Sequence, residues 1–343
     1  MKHLFHTGPY TLTPIADTSD RFTDFRPYAV SLNNHGVVAF QATVTGGDSG
    51  VYTVSGGQIS AVADSDTGPL RNVCSHPDIN QGESACFYAS FKSGGREVVV
   101  VRDGQITTVA ENAGPLGPTM NDDGTVAFRA ELGSEESGIF TGSGGRVTTI
   151  ATTSEVLSAF HGLPVINSRG AVVFRADLKT GAQGVYVGDG GPLTPIAETG
   201  DFFSGLGDFP IMNDAGTVAF CATLQGGGSG VFTASAGEIA TVIDTSSPFE
   251  SFRGVLLDSA GRMIFYATPR GGELGVFTGR DPLGDCLLSL GAPLFGSTVV
   301  DFALNPVSMN DVGQIAIRVK LANERQLVLR ADPVDKASDQ DGR

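Results

Sequence analysis

The fold is decided by Ile211–Phe220, whose sequence is Ile-Met-Asn-Asp-Ala-Gly-Thr-Val-Ala-Phe. This stretch contains an apolar pair, an asparagine, a turn that glycine closes, and a short apolar run that ends on phenylalanine. The same order of residue types recurs seven times, centred on Asn33, Asn80, Asn121, Asn167, Asn213, Asp258 and Asn310. A repeat with a period in the mid-forties predicts a fold built from equivalent units.

The residue pattern of each unit predicts four short strands. The Asn-x-x-Gly segment is a tight turn, because asparagine folds its side chain back onto nearby backbone and glycine accepts a positive φ. The outgoing strand, such as Thr217–Thr223, is followed by the strand pattern at Gly230–Phe232 and by a last strand at Glu238–Asp244. Four antiparallel strands separated by glycine-rich turns form one blade of a β-propeller. Positive φ is expected at Gly124, Gly170, Gly216 and Gly313.

The two ends of the chain complement each other. Tyr10–Asp17 resembles Pro192–Glu198, which is the last strand of a unit, whereas the seventh unit lacks its last strand. Pairing the first strand with the seventh unit closes the ring and removes an open sheet edge. The prediction is an all-β fold, a single seven-bladed β-propeller of four-stranded antiparallel blades. Its organisation is an N-terminal lead over 1–9, the propeller over 10–332 and a polar C-terminal tail over 333–343.

Composition restricts the partners. The chain has 343 residues, 47 of them glycine, and a formal net charge of −15 without any basic stripe, so nucleic acid is not expected to bind. Residues 1–9 contain no apolar segment of the length of a signal peptide or membrane anchor. We therefore expect a cytoplasmic monomer with no membrane partner, and keep a processed secreted form as the alternative. The four cysteines lack paired spacing, and Cys86 and Cys221, which lie beside the repeat phenylalanine on strand patterns, are expected to be buried free thiols.

On these repeats the chain resembles the bacterial tandem-repeat proteins with the motif Asn-x-x-Gly-x-x-Ala-Phe, which are interpreted as β-propellers. The resemblance extends from Tyr10 to Asp332, and the copies at Asn33, Asn121 and Asn213 match the motif in full. It implies the propeller architecture. No agreed activity and no catalytic residues come with this family, so the resemblance leaves the function open.

Candidate site residues lie in the long loops between units, where the repeat stops. In a propeller these loops lie on the face opposite the Asn-x-x-Gly turns, next to the central channel, and loops on a rigid scaffold commonly carry the site. The predicted catalytic residues are Tyr28, His76, His161, Asp208 and Arg253. The predicted substrate-binding residues are Arg26, Cys74, Phe209, Asp301 and Asn305. The third unit supplies only a short loop ending at Gly117, which predicts an opening on that side.

This combination of side chains favours general acid–base chemistry on one small molecule at the channel mouth. Arg253 would hold a developing anion, a histidine would move the proton, and Asp208 would orient that histidine. The sequence has no nucleophile elbow, phosphate loop or His-Glu-x-x-His motif. We therefore predict a lyase, cyclase, isomerase or hydrolase that uses no cofactor and no metal.

The same residues also allow non-catalytic interpretations. A lone loop histidine such as His76 satisfies a backbone carbonyl more often than it catalyses a reaction. Asp17, Asp20 and Asp24 form the best local group for Ca²⁺, although they offer too few oxygen ligands. The alternative function is a non-catalytic scaffold whose loop face binds another protein through apolar anchors. The candidate anchors, which could equally form the wall of a pocket, are Phe202, Phe203, Phe249 and Phe252.

Overall fold

The computed structural model describes residues 5–19, 21–25, 27–112, 114–133 and 136–334. These residues form strands, turns and bends and contain no helix, so no described segment is a helix that could cross a membrane. The strands assemble into seven antiparallel sheets, one for each repeat, which confirms the predicted seven-bladed propeller.

The strands are numbered in chain order. The chain begins with β1 (Phe5–Thr7) and β2 (Tyr10–Asp17). Blade 1 contains β3 (Phe22–Asp24), β4 (Ser31–Leu32), β5 (Val38–Val44), β6 (Ser49–Ser55) and β7 (Gln58–Asp64). Blade 2 contains β8 (Leu70–Val73), β9 (Asp78–Ile79), β10 (Ala85–Phe91), β11 (Arg96–Arg102) and β12 (Gln105–Glu111). Blade 3 contains β13 (Thr119–Met120), β14 (Val126–Glu131), β15 (Ser137–Gly142) and β16 (Thr148–Thr152).

The later blades follow the same order. Blade 4 contains β17 (Leu157–Ile166), β18 (Val172–Leu178), β19 (Gln183–Gly188) and β20 (Thr194–Glu198). Blade 5 contains β21 (Phe203–Leu206), β22 (Ile211–Met212), β23 (Val218–Leu224), β24 (Ser229–Ser235) and β25 (Glu238–Asp244). Blade 6 contains β26 (Phe249–Leu257), β27 (Met263–Pro269), β28 (Gly275–Phe277) and β29 (Cys286–Ser289). Blade 7 contains β30 (Pro293–Leu294), β31 (Ser297–Ala303), β32 (Ile315–Leu321) and β33 (Gln326–Pro333).

The ring closes as the sequence predicts. Strand β2 pairs antiparallel with β33, in a register that places Tyr10 opposite Pro333 and Asp17 opposite Leu327. Leu12 is fully buried in this junction. Part of the stretch predicted as a lead, Phe5–Thr7, also forms a strand, which pairs with β2 and extends the sheet of blade 7.

The repeat phenylalanine fills the space between blades. In six blades it lies on the strand that follows the Asn-x-x-Gly turn and is buried. In blade 7, Ile317 takes its place. The ring often stacks on the aromatic residue directly opposite on the next strand, as Phe220 does on Phe232 and Phe128 on Phe140. Aromatic pairs of this kind stabilise a fold by more than the burial of their apolar area alone. All four cysteines are free thiols, and Cys86 and Cys221 are buried as expected.

The repeat asparagines have a second role beyond closing the turn. In the turn, the Oδ1 atom of Asn33 accepts hydrogen bonds from the N–H groups of His35 and Val37. Its Nδ2 group points sideways and donates to the main-chain carbonyl of Asn80 in the next blade, at 3.1 Å. Six blades repeat this bond around the ring, which we call the asparagine belt. Its donors are Asn33, Asn80, Asn121, Asn167, Asn213 and Asn310.

Blade 6 carries aspartate at the repeat position, and a carboxylate has no hydrogen to donate. Here the guanidinium of Arg262 replaces the missing donor: Nε donates to the Asp258 carboxylate and Nη2 donates to the carbonyl of Asp311 in blade 7. The belt is therefore complete around the ring, with one link built from arginine.

The turn glycines adopt the expected backbone conformation. Gly216 has φ of +86°, and no atom lies within 4 Å of the position that a Cβ would take. Replacement of Gly216 by another residue would therefore cost backbone strain and cause no steric clash of the Cβ. Gly124, Gly170 and Gly313 are likewise at positive φ. In blade 2, whose turn is different, the positive φ falls on Glu83 instead of Gly82.

We expect Gly216→Val to lower the free energy of unfolding by about 1–3 kcal/mol, because valine is strained at this φ. Denaturant unfolding would measure the change. Gly226→Val is the matched control: Gly226 also lies in open space but its φ is not positive, so the change there should stay below about 0.5 kcal/mol. Equal losses in the two variants would contradict the role of φ.

Candidate functional site

A cavity of about 390 Å³ lies at the long-loop end of the central channel. All seven blades contribute at least one residue to its wall. Five of the ten predicted site residues are among them, namely Tyr28, His76, Phe209, Arg253 and Asn305. These residues come together because equivalent positions in successive repeats occupy equivalent positions around the ring, although Arg253 lies within β26 and not in a loop.

The wall of this cavity is mostly apolar, with a single cation. Arg253 is exposed, and among the described residues it forms no ion pair. No aspartate or glutamate lines the cavity in the described part of the chain. An arginine without a carboxylate partner in a concave apolar site is available to bind an anion.

His76 is held rigidly at the cavity wall. It precedes β9 and only 4% of it is exposed. The hydroxyl of Ser75 donates to the His76 carbonyl at 2.8 Å and accepts the N–H of Tyr88 at 2.8 Å, which fixes the backbone. The imidazole lies against Gly117 of blade 3, where a Cβ would fall 2.3 Å from its Cε1 atom. The opening predicted at blade 3 is therefore wrong, because the His76 ring fills that space.

Burial lowers the pKa of His76 to about 4, although the nearby carbonyls of Pro118 and Leu116 favour its charged form. The ring is therefore neutral at pH 7, and its Nε2 atom is buried without a hydrogen-bond partner. A neutral imidazole with a free nitrogen can accept a proton.

This pKa predicts a pH-dependent stability. The pKa of His76 is lower in the folded protein than in the unfolded chain, so its contribution is present above pH 6.5 and is lost as the pH falls towards 4. Relative to His76→Gln, the wild type should lose about 3 kcal/mol between pH 7 and pH 4. Unfolding of both proteins at several pH values measures this difference.

Buried Asp78 acts in the opposite direction. Burial raises its pKa to about 7, so its contribution is fully present below pH 3.8 and is lost as the pH rises through 7. Because Asp78 is present in both proteins, its effect cancels in the difference. A difference between wild type and His76→Gln that does not change with pH would contradict the burial of a neutral imidazole.

His161 and Asp208 do not line the cavity. The Nε2 atom of His161 lies 2.7 Å from the carboxylate of Asp177, which belongs to the next strand of the same blade. The hypothesis that Asp208 orients a catalytic histidine is therefore wrong. Asp208 instead lies 3.6 Å from the guanidinium of Arg175, which also binds Asp177 at 2.9 Å.

Asp301 is likewise withdrawn from the cavity. Its carboxylate binds Arg318 at 2.9 Å. Arg175 and Arg318 occupy the same repeat position, directly after the repeat phenylalanine or its substitute Ile317, and the side chain of each is 5% exposed. The sequence contains the signal for these pairs, since Arg129 in blade 3 occupies the same position, but the prediction overlooked it.

Cys74, Tyr28 and Arg26 complete the set of predicted residues. Cys74 is partly buried, and its carbonyl accepts a hydrogen bond from Arg96. Burial, with a smaller contribution from Cys74, raises the pKa of Tyr28, so its phenol stays protonated at neutral pH. Arg26 lies outside the described residues.

The described residues contain no group of three or more His, Cys, Asp or Glu side chains that could hold a metal ion. The carboxylates proposed for Ca²⁺ are engaged elsewhere: Asp17 pairs with Arg325 at 2.6 Å, and Asp24 accepts a hydrogen bond from Gln326. Asp20 lies outside the described part of the chain. Chemistry without a metal stays a prediction.

Three comparisons relate the chain to known proteins. The profile of a family described as a family of unknown function (DUF7453) matches residues 72–330. No curated protein matches the sequence. Among solved structures, an oligogalacturonate lyase from Vibrio parahaemolyticus is similar, with a TM-score of 0.60 and 13% identity over 97% of this chain and 96% of that one.

Two further structures are similar. An oligogalacturonate lyase in complex with manganese has a TM-score of 0.60 and 10% identity, again over 97% of this chain and 96% of that one. The polysaccharide lyase Uly1 has a TM-score of 0.51 and 10% identity over 91% of each chain. At such low identity these similarities establish the propeller fold and leave the activity to be argued from the site.

Proposed function

Because the chain belongs to the family of unknown function DUF7453, its activity has to be argued from the cavity, and we propose that it binds a small anion there and acts on it as a lyase. One observation carries the proposal. The same cavity is lined by a neutral imidazole, His76, and by a guanidinium that has no ion pair with any described residue, Arg253. This is the pair of groups that proton abstraction beside a carboxylate requires.

The proposed reaction is a β-elimination. Arg253 binds the carboxylate of the substrate and stabilises the negative charge that develops on it when the neighbouring carbon loses its proton. The ring of His76 turns so that its buried Nε2 atom faces the cavity and takes that proton, and the electrons of the C–H bond form the new carbon–carbon double bond. The bond to the leaving oxygen on the next carbon breaks, and that oxygen takes a proton from Tyr28, whose raised pKa keeps the phenol protonated.

The solved propellers support a lyase over the other enzyme classes, since oligogalacturonate lyases and a polysaccharide lyase share this architecture. The scaffold alternative has less support. Three of its four candidate anchors, Phe203, Phe249 and Phe252, are buried in the blades, and Phe202 alone is exposed. A single exposed ring is a small anchor for a protein partner.

The experiment is a screen of β-substituted carboxylic acids, with the ultraviolet absorbance of the unsaturated product as the signal. On a substrate so found, His76→Gln should lower kcat by about 10²–10⁴-fold. Arg253→Gln should raise KM and also lower kcat, because the charge that it binds grows in the transition state. Arg71→Gln, at an exposed arginine outside the cavity, is the control and should leave both constants unchanged.

Thermal unfolding of each variant separates lost chemistry from lost folding. Full activity of His76→Gln would exclude His76 as the base. Divalent metal ions added in a parallel series test the prediction of metal-free turnover, because a strict requirement for metal would contradict it.

A further inference from the structure

We infer that the natural ligand of this cavity is a monocarboxylic acid with a flat apolar body, an aromatic or alicyclic acid, and is not a chain of sugar acids. The inference rests on the proposed function, because it assigns a substrate class to the same site. It comes from the charge, the surface and the hydrogen-bonding groups of the cavity wall.

The charge of the wall limits the ligand to one anionic group. Arg253 is the single charged residue among the described residues that line the cavity. Arg175 and Arg318, the cations that could bind further carboxylates, are buried and already bind Asp177 and Asp301. Among the described residues a polyanion would therefore meet one cation and an otherwise uncharged wall, in a protein whose net charge of −15 repels it.

The surface of the wall is suited to an apolar ring. Leu116 and Phe209, which are 40% and 37% exposed, are two of the eleven exposed large apolar residues in the described part of the chain, and both line this cavity. Phe302 also lines it and stacks on Tyr266, with ring centroids 6.0 Å apart and an angle of 10° between the planes. Exposed apolar surface gathered in one concave site marks the place where an apolar ligand binds.

The polar groups are too few for a sugar, which presents hydroxyl groups on most of its carbons. Asn305 is bound into its own loop, since its Oδ1 accepts hydrogen bonds from the N–H of Val307 and the hydroxyl of Ser308. Its Nδ2 group and the hydroxyl of Tyr266, which also lines the cavity, are buried without a hydrogen-bond partner among the described residues. The other polar side chains of the wall are those of the proposed mechanism, Tyr28, His76 and Arg253. A buried sugar would leave several hydroxyl groups without partners, at a cost in affinity.

The test is a set of binding titrations by calorimetry on the full chain. The probes are cinnamate, its neutral amide cinnamamide, galacturonate and digalacturonate. Cinnamate should bind at least tenfold more tightly than each of the other three. Arg253→Gln should remove the preference for cinnamate over cinnamamide. Phe209→Ser should lower the affinity for cinnamate about tenfold. Arg71→Gln is the control and should leave the affinities for cinnamate and cinnamamide unchanged. Thermal unfolding confirms that each variant is folded.

Tighter binding of galacturonate or digalacturonate than of cinnamate would overturn the inference, and so would equal binding of cinnamate and cinnamamide to the wild type. These failures differ from failure of the proposed function. If a sugar acid is the better ligand and is turned over in a manner that depends on His76, the lyase proposal stands and the substrate class is wrong.

Discussion

Deletion of residues 1–18 is expected to abolish cooperative unfolding of the propeller. The deletion removes β2, exposes the edge of β33, and uncovers the apolar residues that pack on Leu12. Burial of one large apolar side chain contributes about 1.5–3 kcal/mol, and the deletion uncovers several of them. The expected loss is therefore comparable with the whole stability of a typical domain, which is about 5–15 kcal/mol.

The measurement is thermal or denaturant unfolding, in which the deleted protein should show a broad transition at low temperature. A synthetic peptide of residues 5–19 added in trans should restore part of the cooperativity. The same junction can be tested by Leu12→Asp, which places a carboxylate in the buried seam, with Thr13→Ala in the same strand as the mild control. A deleted protein that melts like the intact one would show that closure does not hold the ring.

Replacement of Asn33 by aspartate is expected to cost about 3–5 kcal/mol, although the two side chains have the same shape. Asn33 is 1% exposed. Aspartate keeps an oxygen for the N–H groups of the turn, but its second oxygen would face the carbonyl of Asn80, where the amide now donates. A buried carboxylate without a cation is strongly destabilising.

Asp258→Asn is the matched opposite change. Asparagine there can donate to the next blade in the same way as the other belt residues, whereas the ion pair that is lost involves Arg262, whose side chain is 48% exposed. The expected change lies within about 1 kcal/mol. Denaturant unfolding of the two variants at pH 7 makes the comparison, and similar losses in both would show that the belt contributes little to stability.

The architecture could be predicted from the sequence because the chemistry of the turns is local. The asparagine or aspartate of each turn and the glycine near it specify the turn through local contacts. Seven such turns in order along the chain are compatible with few folds. The same argument placed Tyr28, His76 and Arg253 at one cavity, since equivalent loop positions become equivalent ring positions.

The parts of the site that were not predicted depend on the direction of side chains across blades. Asp208 and Asp301 hold repeat positions like those of the cavity residues, yet they pair with Arg175 and Arg318. These arginines belong to the strands, so the pairs are contacts between different repeat positions. The pattern of equivalent positions along the repeats therefore does not indicate these ion pairs. The place of His76 was missed for the same reason, because its ring occupies space that belongs to blade 3.

The contact between His76 and Gly117 has a consequence for how such a site can arise and be inherited. Copying one blade copies either the histidine or the glycine, but never the pair, since the two residues lie in successive repeats. Duplication of blades therefore builds the ring without multiplying the site. Once the imidazole occupies the space, Gly117 can no longer gain a side chain unless position 76 changes as well. Among relatives, joint presence of histidine and glycine at these two positions should distinguish those that share this site from those that share only the propeller.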